Sequence, residues 1–279
     1  MTYATDAIEA SPPPPALQRR WSKARAVGMA LIAVWIALGF GLLSLLVFGY
    51  DAEMTANYLP RILLGVWTTV QLVVLSILIG AVLSIPLTMG RLAQRGVGSS
   101  LAFGYSYFFR GTPLLAQTYL VYYGFGQFSD VLRDIGLWWF FRDAFYCAVL
   151  TFALNTAAYQ AEILAGAIRS VPRGQWQAAD ALGLGRFTTL RKVIVPQALI
   201  TSLRPYGNEV VLMIKGSAIA AIITVFDLMG QTRYAFSKTY DMQVYLWAAI
   251  LYLIMVEVLR RVWDVLELRL TRHLKRAGD

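Results

Sequence analysis

Residues 62–89 read ILLGVWTTVQLVVLSILIGAVLSIPLTM, an apolar run that contains no charged side chain. About 20 apolar residues in a helix are enough to cross the hydrocarbon core of a bilayer, so this stretch predicts a membrane-spanning helix. The whole chain agrees, because 58% of its 279 residues are hydrophobic and only 15% are charged, whereas a soluble domain has about 25% charged residues. The composition therefore indicates an integral membrane protein, and it argues against a nucleic-acid-binding protein despite the net charge of +9.

Five other stretches are long and apolar enough to cross a bilayer, and they lie at residues 27–48, 101–125, 144–168, 206–225 and 244–262. We therefore expect an all-α integral membrane fold with about six transmembrane helices. The run that begins at residue 27 is too long for the apolar part of a signal peptide, so it predicts an additional N-terminal transmembrane helix. The segment at residues 1–26 contains four consecutive prolines and predicts a flexible or polyproline extension.

The third predicted span is interrupted by the motif Arg110-Gly111-Thr112-Pro113. Threonine is a favoured N-cap residue, and proline suits the first position of a helix. We therefore expect Thr112 to cap a helix that starts at Pro113. For Arg110 the sequence leaves two alternatives, a structural role and a contact with the substrate.

Lysine and arginine residues predict which side of the membrane each loop faces, since cytoplasmic loops are enriched in them. If the chain starts inside the cell, eighteen of the 25 basic residues fall on the inner side, five fall on the outer side and two lie within spans. We therefore expect both termini in the cytoplasm. The five outer residues are Arg61, Arg133, Arg142, Arg233 and Lys238.

The longest predicted inner loop covers residues 170–205, and long loops in compact proteins tend to be functional. It contains an apolar stripe at roughly helical spacing, and Gly183 and Gly185 interrupt the stripe. A second stretch, residues 187–195, is expected to end at Pro196. The loop predicts two short helices joined by a glycine turn, or alternatively an ordinary amphipathic loop on the membrane surface. The stripe comprises Trp176, Ala179, Leu182 and Leu184.

This inner loop resembles the EAA motif of permease subunits in binding-protein-dependent ABC importers. That motif consists of Glu-Ala-Ala, a glycine a few residues later, and an apolar pair followed by proline. Its counterparts here are Gln177-Ala178-Ala179, Gly183 and Ile194-Val195-Pro196. Over about residues 58–268, further motifs resemble the polar amino-acid family of these permeases, namely Arg110-Gly111-Thr112-Pro113, Ala158-Tyr159-Gln160-Ala161-Glu162, Pro172-Arg173-Gly174-Gln175-Trp176, Pro196-Gln197-Ala198, Asn208-Glu209 and Lys215-Gly216-Ser217.

Two departures from the family pattern concern function. Gln177 replaces the leading glutamate of the motif, which removes a charge at the expected ATPase contact. Many family members have Lys-Asp-Thr-Ser-Leu where this chain has Lys215-Gly216-Ser217-Ala218-Ile219, and this variant is more similar to members that handle basic amino acids and opines. The family core has five spans, so the helix at residues 27–48 is an addition.

The resemblance implies a type I ABC importer transmembrane domain that imports amino acids across the bacterial inner membrane. The implied partners are an ABC ATPase dimer, a second permease copy or a paralogue, a periplasmic solute-binding protein, the amino-acid substrate and the lipid bilayer. Since the chain has no P-loop sequence, we expect no cofactor on this chain, ATP use by the partner ATPase and no enzymatic activity. The implied coupling residues are Trp176, Gln177, Ala178, Ala179, Leu182 and Gly183.

Ionisable residues inside a membrane span are costly and usually mark a functional path. In the fourth predicted span, one helical face carries Asn155, Tyr159, Glu162 and Gly166, at spacings of four, three and four residues. This face predicts a substrate pathway, and the alternative is a buried carboxylate that pairs with a neighbouring helix. Another face, suited to close helix packing, carries Ala157, Ala161 and Ala165.

Asn208 and Lys215 share a face of the fifth predicted span, and Glu209 lies one step around it. Either Lys215 lines the same pathway, or it pairs with Glu162 or Glu209. In the sixth span Glu257 precedes Arg261 by four residues, which predicts a local ion pair. The predicted pathway consists of Asn155, Tyr159, Glu162, Asn208 and Lys215.

The main alternative function is an ion-gradient-driven secondary transporter of small polar solutes. That class usually has internal repeats and paired broken helices, and the sequence shows no repeat. The single cysteine, Cys147, excludes an internal disulfide, and together with the single histidine, His273, it argues against a metal site. The predicted domains are residues 1–26, 27–48, 58–268 and a basic cytoplasmic tail at 269–279.

Overall fold

The computed structural model describes residues 23–93 and 95–275, and every secondary-structure element in these ranges is a helix. The predicted all-α fold is therefore confirmed. The chain forms two compact units, Met1–Tyr50 and Asp51–Asp279. Residues 1–22, which hold most of the predicted proline-rich segment, and residues 276–279 of the predicted tail lie outside the described residues.

The first unit contains helix α1, Lys23–Phe48, at the position of the additional N-terminal helix. Its most apolar window has a mean hydropathy of 2.6, and none of that window is buried. Large side chains such as Trp35 and Phe40 are 73% and 72% exposed. A helix that is apolar on all sides is typical of a membrane span.

The second unit begins with α2, a helix of 41 residues. Asp51 caps its N terminus, because its carboxylate accepts hydrogen bonds from the backbone N–H groups of Glu53 and Met54 at 2.8 and 3.0 Å. Shorter helices alternate with long ones along the rest of the chain. The helices of this unit are α2 (Ala52–Leu92), α3 (Val97–Gly111), α4 (Leu114–Tyr119), α5 (Ser129–Asp134), α6 (Trp138–Phe141), α7 (Ala144–Ser170), α8 (Arg173–Ala181), α9 (Arg186–Thr189), α10 (Val195–Gly216), α11 (Leu228–Thr239) and α12 (Gln243–Lys275).

Helix α7 is the central helix of the second unit, and it packs most extensively against α2 and then against α10. The predicted packing stripe is confirmed, since Ala157, Ala161 and Ala165 are fully buried. The approach to α2 is closest at Gly80, where an added Cβ atom would lie 2.5 Å from Thr156 Cγ2. Small residues on both helices therefore allow the backbones to approach each other.

The main apolar core lies where α2, α7 and α10 meet. It includes Leu72, Phe152, Met213 and Ile223, each at most 4% exposed. The last of these belongs to Ser217–Ile223, a 3₁₀ segment that extends α10. The core therefore joins three long helices, and Met213 belongs both to this core and to the lining of a cavity described below.

Four helical segments of the described residues are long and apolar enough to cross a membrane, namely Lys23–Phe48, Ala52–Leu92, Arg186–Ile223 and Gln243–Thr271. Helix α7 has 27 residues, about 40 Å at 1.5 Å per residue, but its polar residues lower its hydropathy. The third predicted span is divided at Thr112 and Pro113 into α3 and α4. Four of the six predicted spans are therefore apolar, continuous helices. Of the other two, the fourth is the more polar helix α7, and the third is divided into α3 and α4.

The predicted cap at Thr112 is wrong. Thr112 ends α3, and its hydroxyl donates a hydrogen bond to the carbonyl oxygen of Phe108 at 2.8 Å. Pro113 is the N-cap of α4 in an extended conformation with ψ 132°, and α4 starts one residue later. The residue before a proline is disfavoured in the helical region, so this dipeptide ends one helix before it starts the next.

The predicted helix end at Pro196 is also wrong, and so is the start of the fifth span at residue 206. Helix α9 continues through a π-helical turn, Leu190–Ile194, into α10, and Pro196 lies in the first turn of α10. Proline removes one hydrogen bond from a continuous helix, and here it follows directly on the π-helical turn, where the regular hydrogen-bond ladder is already interrupted. Helix thus extends from residue 186, twenty residues before the predicted start of the fifth span.

Candidate functional site

The polar face of α7 borders two adjoining cavities that share Tyr159. The central cavity lies between α7, α10 and the break after α3, and Thr112, Asn155 and Glu209 also line it. The inner cavity lies nearer the C-terminal end of α7, where its lining includes Arg110, Glu162 and Gly166. The four residues of the predicted polar face of α7 therefore all line one or both of these two cavities.

Asn155 is 7% exposed and joins α7 to the broken third span. Its amide Nδ2 donates to the carbonyl oxygen of Phe109 at 2.8 Å and to Gln117 Oε1 at 3.0 Å. The Gln117 amide in turn donates to the backbone and hydroxyl oxygens of Thr112. Asn155 therefore supports the break at the RGTP motif as well as lining the central cavity.

Glu162 forms an ion pair with Arg91, the basic residue in the last turn of α2. Arg169 donates a hydrogen bond to the backbone carbonyl of Arg91, and the Arg91 guanidinium lies 5.2 Å from the Phe103 ring centroid. The Arg91 and Glu162 side chains are each 20% exposed. This cluster fastens α2, α3 and α7 together and gives Glu162 a counter-ion within the protein.

Arg110 extends from the last turn of α3 towards the same carboxylate, but its contact is longer. Its Nη1 atom lies 4.0 Å from Glu162 Oε1, and its side chain is 43% exposed. The guanidinium lies 5.3 Å from the centroid of the Tyr159 ring, within the range of a cation–π interaction. Arg110 lines the inner cavity and also the cavity on the Arg91 side of Glu162.

Glu209 of α10 is 6% exposed and lies at the central cavity. Its Oε1 atom accepts a hydrogen bond from the Thr156 hydroxyl at 2.8 Å. No ion pair to Glu209 occurs among the described residues. The carboxylate is therefore held by one neutral donor and is available to a cation in the cavity.

Asn208 and Lys215 do not join this set. They line a separate groove between α10 and α12, together with Arg260 and Trp263. Among the described residues Lys215 therefore forms an ion pair with neither Glu162 nor Glu209. The predicted pair of Arg261 and Glu257 is confirmed at 2.8 Å. The structure thus separates the predicted pathway residues into one group beside α7 and another on the α10–α12 groove.

Sequence analysis missed Arg91 and Glu209 as site residues. In the sequence Arg91 counts only among the basic residues of the inner side, and Glu209 appears only as the neighbour of Asn208 and as a possible partner of Lys215. The pair of Arg91 with Glu162 joins residues 71 positions apart, and no local spacing indicates such a contact. The position of Arg91 in the last turn of a long apolar span was the one available signal, because a charge there must find water or a partner.

The α8–α9 segment forms a compact knob, as the glycine pattern predicts. Gly183 has φ +67°, which glycine adopts without the steric cost that other residues incur. The N–H of Leu184 donates to the carbonyl of Ala179, and that of Gly183 to the carbonyl of Asp180, both at 3.0 Å. These two bonds define a Schellman C-cap, which ends α8 and turns the chain into α9.

The knob has one side packed on the body and another side exposed. Trp176 and Ala179 face the body, where Trp176 packs against a cluster that includes Val171 and Ile194. The predicted stripe is wrong for Leu182, which is 77% exposed because the turn at Gly183 directs it away from the body. Gln177, Ala178, Gly183 and Phe187 on the knob are also exposed.

Comparisons with known proteins match this architecture. A family model described as "Binding-protein-dependent transport system inner membrane component" matches residues 80–272. A nopaline transport system permease protein from Agrobacterium fabrum is 41% identical over 226 residues, which cover 81% of this chain and 94% of that protein. The arginine ABC transporter permease protein ArtM of Escherichia coli is 37% identical over 76% of this chain and 95% of its own length.

Solved structures have the same fold. The crystal structure of an amino acid ABC transporter with histidines has a TM-score of 0.69 and 31% identity, over 79% of this chain and 99% of that chain. An inward-facing structure of the MetNI methionine ABC transporter has a TM-score of 0.65 over 80% of this chain and 100% of that chain. Its identity is 19%, so it supports the fold alone.

Proposed function

Because this chain belongs to the family of inner membrane components of binding-protein-dependent transport systems, we propose that it carries a basic amino acid or an opine along the cavities beside α7. It is a transmembrane permease subunit of an amino-acid ABC importer, and it has the fold of a type I importer transmembrane domain. The ATPase of such a transporter is a separate subunit, and the permease is not itself an enzyme.

The observation that supports this substrate class is the row of charged side chains along the cavities. Glu162, Glu209 and Arg110 lie on three different helices, and all border the space beside Tyr159. Charges at membrane depth are costly and are retained where they contact polar solutes. Relatives named for nopaline, octopine and arginine transport, at 37–42% identity, support a basic amino acid or opine in particular.

The family implies an ATPase and a solute-binding protein as partners. We assign the ATPase contact to the knob, because Leu182 and Phe187 expose 77% and 74% of their surface beside the polar Gln177. Exposed apolar side chains within a polar rim are typical of protein interfaces. The finer proposals are an ATPase dimer that uses ATP, a second permease copy or a paralogue, and both chain termini in the cytoplasm of a bacterial cell.

Uptake by the reconstituted complex tests the proposed function. The permease, its ATPase and any second permease are placed in proteoliposomes, and the binding protein is added outside. We expect ATP-dependent uptake of labelled L-arginine or octopine that exceeds uptake of L-glutamate by at least about tenfold, since an additional carboxylate beside Glu209 is unfavourable. Equal uptake of glutamate, or uptake driven by an ion gradient without ATP, would contradict the proposal.

A further inference from the structure

Some of the charged side chains beside α7 are neutralised within the protein, without a substrate. The ion pair of Arg91 and Glu162 is complete within the protein. Arg169 also holds Arg91 in place by donating a hydrogen bond to the backbone carbonyl of Arg91. This pair therefore adds no net charge to the cavities. The other acidic and basic side chains that line these cavities are Glu209 and Arg110.

Arg110 is the more weakly held of the two cations beside Glu162. Its nearest nitrogen is 4.0 Å from the carboxylate, at the limit of an ion pair, and its side chain is 43% exposed against 20% for Arg91. Arginine presents a planar fork that matches a carboxylate in two parallel hydrogen bonds, and here the fork is free to turn towards a new partner. A substrate carboxylate in the inner cavity would meet it beside the Tyr159 ring.

Glu209 is the acidic side chain on the central cavity, which shares Tyr159 with the inner cavity. It is more than nine-tenths buried, has one neutral donor in Thr156, and lines the central cavity with Asn155 and Tyr159. A basic and an acidic side chain on two cavities that share Tyr159 complement the carboxylate and ammonium that every free amino acid carries on its α-carbon.

We propose that Arg110 binds the α-carboxylate of the transported amino acid and that Glu209 binds its α-ammonium, beside Tyr159. This assignment rests on the proposed function and defines how its substrate is held. Arg110 exchanges Glu162 for the substrate carboxylate, and Arg91 keeps Glu162 neutralised during the exchange. Without Arg91 the exchange would leave an unpaired carboxylate in the membrane, which is strongly unfavourable. Glu162 is thus a resting partner for Arg110.

The test compares L-arginine with L-argininamide, which keeps the α-ammonium and the side chain but lacks the carboxylate. Both compounds compete for binding of labelled arginine to the purified permease–ATPase complex. In the wild-type complex we expect arginine to bind about 10- to 100-fold more tightly than the amide, as is typical of charged hydrogen bonds. In Arg110→Gln this preference should disappear, while the affinity for the amide changes less than about threefold.

Further variants separate this role from a structural one. Arg110→Lys should restore part of the preference, because it keeps the charge but loses the fork. Arg133→Gln, the same change at an outer arginine with a 60% exposed side chain, should leave both affinities unchanged. Glu209→Gln should weaken the binding of arginine and of the amide to the same degree, since both carry the ammonium. Size-exclusion profiles of the complexes confirm that the variants are folded.

The outcomes distinguish this inference from the proposed function. A wild-type complex that binds and transports arginine, together with an Arg110→Gln variant that still prefers arginine over the amide, would overturn the role of Arg110 alone. Equal losses for both compounds in Arg110→Gln would also overturn it and would indicate a structural role. A wild-type complex that neither binds nor transports arginine would overturn the proposed substrate class and this inference with it.

Discussion

At the scale of single residues, Glu162 is both a cavity residue and a member of a protein ion pair. Its partner Arg91 lies at the end of α2, and both side chains are 20% exposed. Removing one partner of a fully buried pair costs about 3–5 kcal/mol, and partial exposure reduces this value. We expect Glu162→Gln to lower the stability of the folded permease by about 1–3 kcal/mol, and addition of Arg91→Met to restore part of the loss.

The matched control for this prediction is Lys215→Met. Lys215 lies in the α10–α12 groove and forms no ion pair among the described residues, so its removal should restore nothing in a Glu162→Gln background. Fluorescence-detected size exclusion after graded heating measures the folded fraction of all four proteins. Rescue by Lys215→Met instead of Arg91→Met would show that the ion pair with Arg91 does not stabilise the fold.

Gly183 is the second residue whose conformation has a functional consequence. At φ +67°, a residue with a Cβ atom incurs about 1–2 kcal/mol, and a β-branched one more. We expect Gly183→Val to distort the turn that positions Leu182 and Phe187 and to reduce binding-protein-stimulated ATP hydrolysis and uptake by at least about tenfold. Its abundance in the membrane should stay normal, because an added Cβ atom has no neighbour within 4 Å.

Gly185→Val provides the control for the turn. Gly185 lies two residues away and also has no neighbour within 4 Å of an added Cβ atom, but its φ of −62° and ψ of 148° suit valine. We expect this variant to retain uptake and ATPase stimulation. Equal behaviour of the two variants in both assays would mean that the left-handed turn does not position the knob.

At the scale of helices, the contact between α2 and α7 depends on Gly80. An added Cβ atom would lie 2.5 Å from Thr156 Cγ2 and 3.2 Å from the carbonyl oxygen of Ala153. The first contact is tighter than side chains tolerate, and the second involves backbone. We expect Gly80→Ala to separate the two helices locally and to destabilise the fold by about 1–3 kcal/mol, which thermal denaturation of the purified complex measures.

Gly104→Ala is the matched substitution on α3. A Cβ atom at Gly104 has no neighbour within 4 Å, so alanine should be neutral or slightly stabilising through its higher helix propensity. A lower melting temperature for Gly80→Ala than for Gly104→Ala is the expected result. The reverse order would indicate that the α2–α7 contact is looser than its geometry implies.

The helices that the sequence predicts well are those with local boundary signals. Helix α7 starts at the predicted residue 144 because Asp143 caps it, accepting from the N–H groups of Phe145 and Tyr146. The predicted start of the fifth span lies twenty residues after the start of α9. The reason is that Pro196 predicts a helix end in the sequence, whereas in the structure the helix continues past it. The π-helical turn, Leu190–Ile194, that joins α9 to α10 has no counterpart in apolar periodicity.

At the scale of the whole molecule, composition and apolar runs were sufficient for the all-α fold, while the site needed tertiary contacts. The polar face of α7 was predictable because its residues lie on one helix, at helical spacing. The partners of that face come from elsewhere, Arg91 from α2, Arg110 from α3 and Glu209 from α10. Lys215 also lies at helical spacing from Asn208, but it lines the groove between α10 and α12. Spacing identifies which residues share a helix face, but it does not identify the neighbouring helix that this face contacts.

The orientation of the chain in the membrane follows from charge and can be measured with single cysteines. The excess of inner over outer basic residues predicts that the knob lies in the cytoplasm and that the segment between α4 and α5 lies outside. Cys147 is fully buried, so the natural chain should react little with a thiol reagent. New cysteines in exposed turns would therefore report their own side of the membrane.

We expect Gln127→Cys, in the exposed turn before α5, to react with a membrane-impermeant maleimide in intact spheroplasts. Gly185→Cys, in the knob, should react only after the membrane is permeabilised. Both positions are exposed, and an added Cβ atom at Gly185 has no neighbour within 4 Å, so a difference in labelling reports sidedness and not burial. Labelling of Gly185→Cys in intact spheroplasts, with protection of Gln127→Cys, would show that the topology is the reverse of the predicted one. The knob would then lie on the side of the membrane opposite any cytoplasmic ATPase.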